Sequence, residues 1–125
     1  MILVDTNIFI EYYKNNSAVC RALDNIDPRK LVVSDVVCAE LYFGVRNKQE
    51  LATIVADMKK LTVLAISPQI SKLAVDLVQQ YCLSHRLKLP DAQIASTALF
   101  HNIELFTLNR KDFAYIPNLK LYEKF

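Results

Sequence analysis

Hydrophobic positions along the chain fall into two kinds of run. Ile2-Leu3-Val4 and Leu31-Val32-Val33 are short and unalternating, as expected of strands covered on both faces of a parallel sheet. The pattern predicts strands over 2–5 and 31–34. Thr62-Val63-Leu64-Ala65-Ile66 and Ile103-Glu104-Leu105-Phe106 predict two more, over 62–66 and 103–107, and Leu119-Lys120-Leu121 reads as a possible short last strand. Between them, apolar residues recur at helical spacing. Helices are predicted over 7–13, 17–25, 36–46 and 48–60, the last carrying an apolar stripe of Leu51, Ile54, Val55 and Met58. Ser67-Pro68 signals the start of another helix, whose face is Ile70, Leu73, Ala74, Leu77, Val78 and Tyr81, with Asp76 off the stripe and solvated. Pro90 fits the first position of a helix with the stripe Ile94, Ala95, Ala98 and Leu99.

Strands alternating with helices imply a parallel sheet covered on both faces. With no repeat, low-complexity tract or linker, the 125 residues, 53% hydrophobic and 22% charged, suit one compact domain. A mean hydropathy of +0.18 is high for so short a chain. Apolar surface left over from the core would suit a homodimer interface. The excess of fifteen basic over thirteen acidic residues is too small to imply nucleic acid by itself.

Several chemistries are excluded or disfavoured by what is missing. A single glycine, Gly44, rules out a P-loop and a G-x-G-x-x-G turn, and is read as permitting close helix packing. Cys20, Cys38 and Cys82 are odd in number and widely spaced, so they are expected as buried free thiols in a reducing compartment rather than disulfides or a zinc site. His85 and His101 have neither zinc spacing nor a neighbouring nucleophile motif, and are read as structural or surface residues. Tyr12, Tyr13, Tyr42 and Phe43 belong either to the core or to a partner surface. No basic segment leads into a long apolar one and no apolar run is long enough to span a bilayer. A cytoplasmic protein with no membrane partner is the expectation.

Against this background three acids stand out. Asp5 closes the first strand, Glu40 lies three or four residues from Val36, Val37 and Gly44, in the same apolar segment as Leu41, and is read as sharing their inward face, and Asp91 begins the stripe after Pro90. Parallel strands present their carboxyl ends on one edge, so these acids are expected to converge there. A fourth polar cluster, Thr107, Asn109 and Asp112, follows the strand over 103–107. Crowded carboxylates on inward faces repel, and at neutral pH they need a cation or protons. Oxygen-only ligands point to Mg²⁺, with Mn²⁺ as a substitute. Each acid also has a plainer use: Asp5 as a cap, Asp91 as favourable charge at a helix N-terminus, Asp112 as a solvated loop residue. Arg86, Lys88, Arg110 and Lys111 surround the proposed pocket with positive charge.

The order and spacing of I-L-V-D-T-N, S-D-V-V-C-A-E-L, P-D-A-Q-I-A and Thr107-x-Asn109-x-x-Asp112-Phe113 resemble PIN-domain ribonucleases, and VapC-type toxins of type II toxin–antitoxin pairs in particular. The resemblance covers nearly the whole chain. It implies a single PIN-like domain over 1–125, a three-layer α/β/α fold with a central parallel sheet of four to five strands. It also implies metal-dependent endoribonuclease activity, with a small antitoxin and a second copy of the chain as partners. On this reading Asp5, Glu40 and Asp91 hold the ion, Asp112 completes the catalytic acids, and Thr6, Asn7, Thr107 and Asn109 orient ligands and waters. Lys88, Arg110 and Lys111 contact RNA phosphates, and in-line attack by water leaves a 5′-phosphate. Many family members carry an acid where this chain has Asn109, which makes the fourth position a choice between Asn109 and Asp112. Two other classes fit less well: an inactive PIN scaffold that only binds RNA or protein, and a receiver-like phosphoacceptor module, whose acids would cluster near the first strand rather than on distant helices.

Overall fold

The computed structural model describes residues 1–124. Four parallel strands, β1 (Ile2–Val4), β2 (Leu31–Ser34), β3 (Thr62–Leu64) and β4 (Glu104–Phe106), form one sheet in the order β3-β2-β1-β4. The helices are α1 (Thr6–Tyr13), α2 (Ser17–Asp24), α3 (Asp35–Phe43), α4 (Lys48–Met58), α5 (Pro68–Tyr81) and α6 (Leu89–His101), with 3₁₀ turns at Pro28–Lys30 and Arg110–Asp112. All the strands expected from the sequence are present. The possible fifth is reduced to one parallel bridge, Leu105 to Leu121, supported by Leu105 N–H donating to the Lys120 carbonyl and Tyr122 N–H to that of Leu105.

The unalternating runs are central strands: Leu3, Val4, Val32, Val33, Leu105 and Phe106 are wholly buried. β3 lies at the edge, and its Val63 is 44% exposed. It stops at Leu64 rather than continuing to Ile66, because the Ile66 N–H is taken by the Asp35 carboxylate (3.2 Å) and Ser67 turns the chain into α5 by capping it.

Helix starts follow the capping chemistry. Ser34 accepts from Val36 N–H at the head of α3, and Asn47 from Glu50 N–H at the head of α4. The second cap explains why α3 ends at Phe43 and not at 46: the chain must leave the helix to place Asn47. Gly44 is the C-cap of α3. A Cβ there would meet only the carbonyls of Glu40 and Leu41, at 3.6 and 3.7 Å, so the close packing expected of this glycine is not what it serves.

Three further expectations are corrected. Glu40 is exposed: the buried face of α3 is Val37, Cys38 and Leu41, and Glu40 lies on the flank of that arc. On α4 only Met58 is buried, and the rest of its apolar stripe is half-buried or open. Cys38 is buried, whereas Cys20 and Cys82 are half-buried, and all three are free. α6 departs in the other direction. Residues Ile94 to Ala98 are buried without interruption, so Ser96 and Thr97 are interior as well, and α6 is a core helix packed against α5 and α3.

Candidate functional site

The strand order makes β1 the point at which the chain reverses its direction of travel across the sheet: β2 and β3 are added on one side, β4 on the other. The crevice beyond the carboxyl ends of β1 and β4 is the topological switch point, where open α/β sheets bind ligands. Asp5 sits there. Its N–H continues the ladder to the Phe106 carbonyl (2.9 Å), while its side chain, 5% exposed, turns to cap α1 by accepting from Thr6 N–H (2.8 Å).

The opposite carboxylate oxygen of Asp5 is held from β4. Thr107 Oγ1 donates to Asp5 Oδ2 at 2.7 Å, and Asn7 Nδ2 donates to the same oxygen at 3.2 Å. Thr107 Oγ1 also accepts from Asn7 Nδ2 (3.2 Å) and from Asn109 N–H (3.0 Å), so its one donor and both acceptor sites are in use. Asn7 Oδ1 accepts from Leu108 N–H at 3.1 Å. Thr107, Asn7 and Thr6 thus fix the Asp5 carboxylate from three directions. Thr6 makes a further link, donating from Oγ1 to Glu40 Oε1 at 2.7 Å, which ties the exposed Glu40 to the head of α1.

Asp91 enters from the first turn of α6, whose N-cap, Lys88, makes no side-chain capping bond. It is half-buried. Burial pushes its pKa up from 3.8 to about 6, and the carboxylates of Asp5, Asp112 and Glu40 push in the same direction against Lys88. The Asp5 carboxyl is also raised, chiefly by burial and further by Glu40, against the lowering effect of the Thr107 and Thr6 hydrogen bonds. Four acids, from the residue after β1, from α3, from α6 and from the 3₁₀ turn, therefore share one electrostatic field, with Lys88 as the cation acting on Asp91. Among the described residues no three His, Cys, Asp or Glu side chains are already gathered at ligating distance. The acids are neighbours that repel.

This arrangement fits a hard divalent ion. Its donors are all oxygen, the negative charge is in excess, and Asp5 is held by hydrogen bonds that leave its Oδ1 with only the Thr6 N–H. The other predicted residues separate. Asp112 is exposed and its carboxylate enters no hydrogen bond among the described residues, yet it acts on Asp91. Asn109 contributes its backbone to Thr107, while its side chain caps nothing. Arg110 is turned to the C-terminal segment, donating to the Tyr122 carbonyl (3.1 Å) and pairing with Glu123 (3.5 Å), and Lys111 is exposed. Of the three cations expected at phosphates, Lys88 is the one the acids feel.

Tyr115 is not among the aromatics that the sequence singles out. Burial raises its phenol, and Asp91 and Asp112 add to the rise. No sequence signal links it to this pocket beyond its place three residues after Asp112.

Comparison with known proteins gives concordant results. A family model described as PIN domain matches residues 2–119. Ribonuclease VapC10 of Mycobacterium tuberculosis is 32% identical over 126 residues, covering 96% of this chain and 91% of the relative. Among solved structures, a toxin–antitoxin complex from Klebsiella pneumoniae matches at 32% identity with a TM-score of 0.82, covering 98% of this chain and 99% of that one. VapBC-1 from nontypeable Haemophilus influenzae matches at 30% identity with a TM-score of 0.81, covering 98% of both.

Proposed function

The chain belongs to the PIN domain family, matched over residues 2–119, and on that premise we propose that it hydrolyses RNA phosphodiester bonds as the toxin of a toxin–antitoxin pair. The observation that carries the reading is the seating of Asp5 at the switch point, gripped by Thr107, Asn7 and Thr6 and facing the field of Asp91, Asp112 and Glu40. We read 1–125 as one domain serving this one site.

Asp5, Glu40 and Asp91 would hold Mg²⁺, or Mn²⁺ in its place, with Asp112 as the fourth acid. When bound, such an ion supplies neutralisation of phosphate charge and activation of water for in-line attack. The protein's own part is positional. Thr107 and Asn7 keep Asp5 in one rotamer and favour its ionised form, Thr6 keeps Glu40 against α1, and Asp91, with its pKa near 6, is the acid most relieved by a nearby positive charge. Lys88 balances part of the acid charge and would meet a phosphate of the strand. Arg110 is engaged with the C-terminal segment and contributes to RNA only by leaving it.

An antitoxin partner is supported by the toxin–antitoxin complex that matches at 32% identity over nearly its whole length. A groove of about 780 Å³ between α1, α3 and α4 offers it a surface, with apolar residues Ile10, Tyr13, Leu41, Val45 and Ile54, and it opens beside Glu40. Among the described residues, no helix is long and apolar enough to cross a membrane.

The test is to sequence RNA 5′ ends after brief expression of the wild type and Asp5→Asn, followed by cleavage in vitro with Mg²⁺, with Mn²⁺ and with excess chelator. New ends only with the wild type, and cleavage only with the metal, are expected. Equal cleavage by Asp5→Asn, or full activity in chelator, rejects the mechanism.

A further inference from the structure

Beside the acids lies a group of three rings that the reaction as described does not use. His85 and Tyr115 are stacked face to face, centroids 3.8 Å apart and planes 12° from parallel. Tyr81, the last residue of α5, meets both edge-on, at 5.0 Å and 62° to Tyr115 and 5.8 Å and 74° to His85. Tyr115 is three residues past Asp112, and its phenol lies in the field of Asp91 and Asp112. The rings therefore flank the acidic pocket rather than some remote face.

The loop that carries His85 is built to hold that ring out. The His85 N–H donates to the Tyr81 carbonyl (3.0 Å), and Leu87, 6% exposed, anchors the segment in the core. Between them Arg86 adopts the left-handed conformation, φ 54°, which a residue with a Cβ enters at a cost of about 1 kcal/mol or more. Held strain of this kind clusters where a segment has work to do. Its effect here is to send His85, Arg86 and Lys88 outward while Leu87 points in. Ser84 Oγ pairs with His85 Nδ1 at 2.8 Å and fixes the ring's rotation. His85 is exposed, one face covered by Tyr115, and no second ring stacks on the other face among the described residues.

We infer that the His85–Tyr115 stack is a platform for one unpaired RNA base, placed so that the adjoining phosphate reaches the acids, with Arg86 and Lys88 beside the backbone. Single-stranded RNA is recognised by splaying a base onto an aromatic face, and a stack already formed in the free protein loses little order on receiving one. The segment also exposes Leu83 and Leu89, but the cations Arg86 and Lys88 that follow the ring in the chain match the charge of a phosphate backbone and so favour RNA over an apolar protein partner. His85 is a positioning residue for the substrate and takes no part in proton transfer.

The inference rests on the ribonuclease reading, and its test separates the two. Short single-stranded oligoribonucleotides with a wild-type cut site would be compared with the same oligonucleotides made abasic at one position at a time. His85→Ala is expected to raise KM, and Kd in anisotropy titrations, by about 5- to 100-fold, with kcat within twofold. His85→Phe is expected to restore both. At one position the abasic substitution should cost the wild type as much as His85→Ala does and should cost His85→Ala nothing more, and a 2-aminopurine placed there should be quenched by the wild type alone. Should the alanine variant melt early, His85→Gln and the abasic series in the wild type carry the same comparison. A wild type that cleaves RNA but shows no base position coupled to His85, or an unchanged KM in His85→Ala, overturns the platform. A wild type that cleaves no RNA overturns the ribonuclease reading instead.

Discussion

At the scale of single residues the site is governed by charge that has not been neutralised. Asp91, raised to about 6 by burial and by Asp5, Asp112 and Glu40, is a folded-state carboxyl that prefers its proton more than the unfolded chain does. Its contribution to stability is complete below 3.8 and lost as pH rises through about 6. The full shift corresponds to roughly 3 kcal/mol, which solvent screening at a half-exposed group reduces to about 1 kcal/mol. Asp91→Asn, which mimics the protonated acid, should therefore stabilise the metal-free protein by about 1 kcal/mol at pH 7.5 and leave it unchanged near pH 4. Urea unfolding of both proteins at the two pH values checks this, and Mn²⁺ should remove the variant's advantage at pH 7.5. The same reasoning ranks the fourth ligand. Asp112 brings a charge that Asp91 feels, while Asn109 is neutral and serves through its backbone. Asp112→Asn should weaken Mn²⁺ binding about tenfold, as expected for losing one nearby charge at a partly solvated site, and Asn109→Ala much less. A calorimetric titration giving the reverse order would hand the position to the amide.

At the scale of elements, the ends of β1 and β4 are joined by the backbone bond from Asp5 N–H to Phe106, and the Thr107 hydroxyl adds the grip on the Asp5 carboxylate. Thr107→Val removes the donor to Asp5 and the acceptor for Asn7 and Asn109, leaving the buried Asp5 Oδ2 with Asn7 Nδ2 alone and the Asn109 N–H without its side-chain acceptor. A loss of about 1–3 kcal/mol in stability is expected, with strongly reduced cleavage, and Thr107→Ser should restore both in thermal melts and activity assays. This junction also marks how far the sequence could be read. The runs at Ile2-Leu3-Val4 and Leu31-Val32-Val33 declared buried parallel strands, and parallel strands put Asp5 and Thr107 on one edge without further information. Helical spacing was a poorer guide to direction. It set Glu40 on the buried stripe of α3, although the stripe is narrow and Glu40 leans from its flank to Thr6. It gave α4 an apolar face that the molecule leaves largely open, and it did not show that α6 is buried through Ser96 and Thr97 as well as along its stripe. Periodicity reports how residues on one helix stand relative to one another. Which arc is covered depends on the neighbouring elements, and the stack of His85 on Tyr115, thirty residues apart in the chain, depends on them entirely.

At the scale of the whole molecule, the surplus of apolar residues noted in the composition is visible on the surface. Leu83 and Phe43 are 86% and 93% exposed. Isolated exposed apolar side chains are ordinary, but Phe43 stands at the end of α3 next to Gly44 and Val45, which line the groove between α1, α3 and α4. A second copy and an antitoxin are the two occupants that the family resemblance implies for such surfaces. For the copy, light scattering should give twice the mass of 14.3 kDa at micromolar concentrations, and a monomer throughout would refute the dimer. For the antitoxin, covering Phe43 would contribute about 1.5–3 kcal/mol, or roughly ten- to a hundredfold in affinity. Phe43 is almost wholly exposed and is none of the site acids, so in Phe43→Ser the melting temperature and the rate of RNA cleavage should stay as in the wild type. What should change is inhibition: titrating the antitoxin against RNA cleavage should need at least tenfold more of it for Phe43→Ser. An unchanged inhibition curve would place the antitoxin on another face and leave the groove beside Glu40 without that occupant.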